Sequence, residues 1–246
     1  MKLGAPRGFT LVEMVATIVV SSILILGIAG FIELGTTGYV DSVERGRLQT
    51  QAKFLLEKMS REVRHSIPNL VSTDSPAGYE TCLNFYPIDH SGFYTVSGAD
   101  LQFVIGDDYT NEQIVDVGKK LIINPARMAD IDNAIELTSS NTSISGAVFT
   151  VTDGQQALVS ESVAKRMYLF SRRVAYCLPS TVKPSHLQRV DNGQAVAISD
   201  NIVTQAEFRY DQTDLRRGSL IHIDLDLTQN GENNHYQQDI QVLNVP

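Results

Sequence analysis

One acid inside an apolar run has the most chemistry to explain. Glu13 stands in Gly8-Phe9-Thr10-Leu11-Val12-Glu13, and between residues 9 and 34 only Glu33 also ionises. Met14 to Ile32 reads MVATIVVSSILILGIAGFI, without a charge. An unpaired carboxylate in lipid is costly and marks function. A positive charge at the helix start would pair with it, and the free N–H groups there favour an anion. Cleavage between Gly8 and Phe9 would create such a charge, the new amine of Phe9. The amine of a neighbouring chain, shifted along the helix axis, would serve equally well. On that second reading Glu13 is costly alone and satisfied in a polymer.

Other reactive side chains carry less. The histidines His65, His90, His186, His222 and His235 show no ligand spacing, and His222, beside Asp224, reads as a surface residue. Asp130, Asp132 and Glu136, or Asp107 with Asp108, offer oxygens to calcium, but no twelve-residue loop with a closing Glu surrounds them. They read as a solvated acidic face, and no metal is assigned. Two distant cysteines, Cys82 and Cys177, supply too few ligands for a zinc site. No Gly-rich phosphate loop, G-x-S-x-G or H-E-x-x-H occurs, so neither an enzyme nor a cofactor is expected. A net charge of −8 and a pI near 5.1 argue against nucleic acid as a partner.

The element that must hold Glu13 is a helix. Met14 to Ile32 spans roughly 28 Å as a helix, about one hydrocarbon core. Lys2 and Arg7 precede it, so the positive-inside rule puts the N-terminus in the cytoplasm and the chain after Leu34 outside. Two plainer readings compete. A secretory signal would be cut after the apolar run, near Gly27, Ala29 and Gly30; Arg7-Gly8-Phe9 and Glu13 fit that less well. A simple anchor would leave Glu13 incidental.

The short basic leader, then Gly-Phe-Thr-Leu-Val-Glu-Met, then the unbroken apolar helix resembles the signal of type IV prepilins and pseudopilins. The resemblance implies cleavage after Gly8 by a prepilin peptidase at the cytoplasmic face, N-methylation of Phe9 and packing of the helix into a filament core. It implies an inner-membrane protein with a periplasmic C-terminal domain, which then enters a pilus. The extreme tip pseudopilin of the family lacks this acid, and because this chain keeps Glu13 the resemblance implies a place just below the filament tip.

Four segments follow: a leader at 1–8, an assembly helix at 9–34, its amphipathic continuation at 35–66 and a β-rich domain at 67–246. In the continuation Leu48, Ala52, Leu55, Met59 and Val63 recur at spacings of three and four. Glu57 and Arg61 stand four apart as a helix pair. Pro68 ends the helix. Gly27, Gly30, Gly35 and Gly38 give either a compliant section, close helix contacts or ordinary membrane glycines.

Beyond the helix, residues 67–81 read as loop and 81–88 as strand. A hairpin is expected over 92–105, short strands at 114–117 and 120–124, and a helix or strand at 129–137. Further strands are expected at 147–151, within 166–178 on both sides of a kink at 171–173, at 195–198 and at 202–210. The alternation Ile221, Ile223, Leu225, Leu227 against His222, Asp224, Asp226 is the clearest strand, with a turn at 229–234 and a partner over 238–245. The class is α+β, a long helix packed on an antiparallel sheet. In an oxidising periplasm Cys82 and Cys177 form a disulfide, or else remain two buried thiols.

Several segments further resemble the MshO-type minor pilins of the mannose-sensitive haemagglutinin (MSHA) pilus. They are Phe54 to Arg64, Ile67-Pro68-Asn69, Cys82 to Ile88, Arg172 to Leu178 and Gln241 to Pro246. That resemblance implies a low-abundance subunit that helps initiate or cap a pilus for surface attachment. Its partners would be other minor and major pilins, the prepilin peptidase and the inner-membrane assembly platform. The J-type minor pseudopilins of type II secretion share the long helix and similar size; the cysteine pair with its flanks favours the MSHA kind.

Overall fold

A computed structural model describes residues 8–106, 113–211 and 219–242. The chain falls into two compact units, Met1–Gln49 and Thr50–Pro246. One helix, α1 (Leu11–Arg64), runs through the described part of the first unit and enters the second. Its 54 residues span about 80 Å. No break occurs at Gly27, Gly30, Gly35 or Gly38, where an added Cβ would meet nothing within 4 Å. Hydroxyls in the first unit fold back on carbonyls one turn earlier: Thr17 donates to Met14, Ser22 to Ile18 and Thr37 to Glu33. Such bonds hide polar groups from an apolar solvent.

In the second unit, the last turns of α1 bury Ala52, Leu55, Met59 and Val63, the face expected from spacing. Glu57 and Arg61 pair at 3.5 Å on the exposed side. The antiparallel strands are β1 (Ser66–Ser72), β2 (Tyr79–Pro87), β3 (His90–Ser97), β4 (Asp100–Ile105), β5 (Lys120–Ile122) and β6 (Ile135–Glu136). Then come β7 (Thr142–Ser145), β8 (Val148–Val151), β9 (Arg166–Phe170), β10 (Val174–Pro179), β11 (Gln188–Asp191) and β12 (Gln194–Ala197). The last are β13 (Val203–Asp211), β14 (Leu220–Gln229) and β15 (Glu232–Gln241).

They form three sheets, ordered β1-β2-β10-β11-β12, β6-β5-β9-β3-β4-β8-β7 and β13-β14-β15. The seven-stranded sheet is built wholly from chain between β2 and β10, so it is an insertion into the five-stranded one. Its core holds Leu101, Phe103, Leu121, Phe149, Met167 and Leu169, with Phe103 and Phe149 stacked at 4.9 Å. Gly92 lies in β3 between β4 and β9, where a Cβ would sit 1.9 Å from the Val104 carbonyl oxygen.

Several local expectations need correction. Residues 66–72 are a strand, not loop; Pro68 is tolerated because β1 is an edge. Residues 114–117 are not a strand, since Asp116 and Gly118 take φ of 64° and 73° and turn the chain. The 129–137 stretch is a 3-10 turn at Met128–Asn133 followed by β6. The final turn is shorter than expected: Asn230 and Gly231 alone close it, at φ of 50° and 85°. Asp107 and Asp108 lie outside the described residues, as do Leu243 and Val245.

Candidate assembly site

Glu13 occupies the third position of α1, and Thr10 caps it. The Glu13 N–H donates to the Thr10 hydroxyl at 3.3 Å, while the Thr10 N–H and hydroxyl each reach a Glu13 carboxylate oxygen at 3.4 Å. This is a reciprocal capping box, and its signature Thr-x-x-Glu stood in the sequence unread. It changes the electrostatic argument. The acid has a local partner in its own chain, so it is less orphaned than expected. The bonds are long and the residue is exposed, which leaves the carboxylate able to accept a stronger, charged donor.

Gly8 and Phe9 precede the helix in exposed, non-helical chain. Beyond them Leu11, Val12, Val15, Ile18, Val19, Leu24, Leu26, Ile28 and Phe31 are all exposed. The helix carries an apolar stretch, none of it buried, that makes it long and apolar enough to cross a membrane. A helix apolar all round needs either lipid or other helices around it.

Cys82 and Cys177 are joined, with sulfurs 2.06 Å apart. They face each other across β2 and β10 in direct register, Cα atoms 4.1 Å apart. The two Cys side chains pack with Ala175 on one side of the sheet. On α1, Glu62 accepts from Arg189 of β11 at 2.9 Å, and Arg189 also reaches Asp191 at 2.8 Å. Burial works against the guanidinium charge, but the two carboxylates outweigh it and its pKa is raised. Burial, then the Glu62 carboxylate, push the nearby Tyr176 phenol far above its ordinary value. Glu62 and Arg189 are 127 residues apart, and nothing local in the sequence pairs them.

Asp130 caps its own 3-10 turn, accepting from the N–H groups of Ala126 and Arg127 at 2.8 and 3.1 Å. Near-complete enclosure raises its pKa, and these bonds with the Arg127 side chain more than reverse that, so it lies below the usual carboxylate range. Asp130 is therefore used structurally. Among the described residues no group of three or more His, Cys, Asp and Glu side chains is arranged to hold a metal ion.

The prokaryotic N-terminal methylation motif matches residues 5–29. No curated protein and no solved structure matches the chain. The matched stretch holds Gly8, Phe9 and Glu13 and most of the exposed apolar helix. Motif and helix together support a type IV pilin-like or pseudopilin chain, processed by prepilin peptidase and anchored in a membrane.

Proposed function

We propose that this chain is a minor pilin, of the MshO type of the MSHA pilus, that helps initiate or cap a filament used for surface attachment. Residues 1–8 are the leader removed at Gly8, and Phe9 becomes the methylated N-terminus. The helix over 9–34 is the membrane and filament-core segment, 35–66 its continuation, and 67–246 the periplasmic domain. Partners are the other minor and major pilins and the inner-membrane assembly platform. The observation that carries this reading is a loosely held carboxylate, Glu13, at the start of the exposed apolar part of α1 and inside a matched methylation motif.

Glu13→Gln is the test. Glutamine keeps the capping geometry and removes the charge, so it separates the two roles. The expected result is wild-type protein in the membrane and at least a tenfold loss of piliated cells and of co-purified pilins. Unchanged piliation and co-purification with Glu13→Gln would overturn the proposal.

A further inference from the structure

The last hairpin has an edge unlike the others. A two-residue turn makes Gln229↔Glu232 its closing pair, and the register then runs unbroken to Leu220↔Gln241. In such a hairpin the closing pair is hydrogen-bonded and the pairs alternate from there. Residues 232, 234, 236, 238 and 240 therefore bond to β14, while Asn233, His235, Gln237, Asp239 and Gln241 point their N–H and C=O groups away from it. Other edges are short or interrupted. β6 has two residues, β7 and β12 four each; β1 contains Pro68 and an irregular register, and β13 is irregular between Val203 and Gln205. Proteins blunt long edges with Lys, Pro or bulges. Ten-residue β15 has none of these, and among the described residues no strand pairs with its outer side.

The wet face beside this edge is acidic. By register Arg209, His222 and Asp239 share a row, as do Glu207, Asp224 and Gln237, and Gln205, Asp226 and His235. Asp211 lies at the end, 3.4 Å from His222. His222 bonds Asp239 at 2.7 Å and His235 bonds Asp226 at 2.7 Å. Against the carboxylates of Glu207, Asp211, Asp224, Asp226 and Asp239, this face of the described strands carries the guanidinium of Arg209. A second copy pairing edge to edge would bring two faces of the same net sign together, which disfavours that pairing, although on β15 itself Asp239 is the single carboxylate of this face.

We propose that β15 is a docking edge for an extended strand of another pilin-like subunit, carrying Lys or Arg at alternate positions on the face it would share with Asp239 and, one strand further in, Asp224 and Asp226. The main-chain groups of Asn233, His235, Gln237, Asp239 and Gln241 supply the ladder, and the net acidic face favours a cationic strand. The partner's identity as a filament subunit rests on the function proposed above; the edge itself does not.

The test uses the full chain in detergent and a ten-residue synthetic peptide alternating Lys and Val, with a Glu-for-Lys peptide beside it. Fluorescence anisotropy reads affinity, and hydrogen exchange reads the five outward amides. The Lys peptide is expected to bind at least tenfold tighter than the Glu peptide and to slow exchange at those amides. Gln237→Pro removes an outward N–H and no bond to β14, and is expected to weaken binding at least tenfold. Gln237→Lys keeps the backbone, adds a cation facing the peptide's, and is expected to weaken it severalfold. Equal affinities for the two peptides, no binding at millimolar Lys peptide, or binding indifferent to both substitutions would overturn the proposal. A concentration-dependent dimer abolished by Gln237→Pro would overturn it too, by giving the edge to a second copy. If Gln237→Pro misfolds, Gln237→Lys and the peptide pair decide. Glu13 has no part in this assay: peptide binding with a failed Glu13→Gln test leaves the edge without the filament, and the reverse leaves the filament without the edge.

Discussion

Glu13 and His222 are both polar groups whose partners decide their behaviour. Glu13 holds a local cap loosely, so its charge is available to another chain at little local cost. His222 is held more firmly. Its hydrogen bond to Asp239 raises the imidazole pKa above 6.5; partial desolvation opposes this, and Asp211 adds to it. Arg209 stands opposite on β13 and is the cation facing it. A raised folded value means the stabilisation is complete below the unfolded pKa and is lost as pH rises through the folded one. The denaturant midpoint of the solubilised chain should therefore fall modestly between about pH 6 and 8. His222→Gln should flatten that fall, and imidazole resonances should place the titration of His222 above its ordinary value. A midpoint that rises over this range would contradict the assignment.

At the level of elements, legibility followed how far one strand's own pattern reported its surroundings. β14 alternates wet and dry faces, so Ile221, Ile223, Leu225 and Leu227 announced it. The hairpin of β3 and β4 and the split of 166–178 into β9 and β10 read equally well. β1 did not, because Pro68 and Asn69 (φ 62°) look like loop, and only an edge position excuses them. β7 and β11 were missed as well: one is four residues, three of them polar, with its single apolar side chain, Ile144, exposed and Thr142 buried, and the other is half-buried on both faces, so neither alternates. Gly8, Phe9 and Glu13 stand out in the sequence by type and spacing, yet the capping bond of Glu13 was overlooked, and Glu62 with Arg189 depends on distant chain. Gly92 was invisible for the same reason. Its role is to let β4 approach, so Gly92→Ala should destabilise by about 1–3 kcal/mol or more, through forced backbone movement. Gly146→Ala, in open space, also strains a φ of 60°, but crowds nothing and should cost less. Chemical denaturation of both variants checks the order.

For the molecule as a whole, the disulfide closes the neck of the inserted seven-stranded sheet. Cys82 precedes β3 and Cys177 follows β9, with a separation of 95 residues. Cross-linking a loop of that size stabilises by about 4–5 kcal/mol in the chain-entropy account. Cys82→Ser with Cys177→Ser should lower stability by an amount of that order, or abolish folding at growth temperature, as read by denaturant unfolding of the full chain.

The same bond has a mechanical meaning for anything pulled by its ends. Tension entering through the helix and leaving through the final hairpin travels across the Cys82–Cys177 crosslink and bypasses the inserted sheet, whose strands cannot be drawn out while the sulfurs stay joined. Stretched in an optical trap, the oxidised chain should keep roughly 310–340 Å of contour length in reserve, and a reductant should release it.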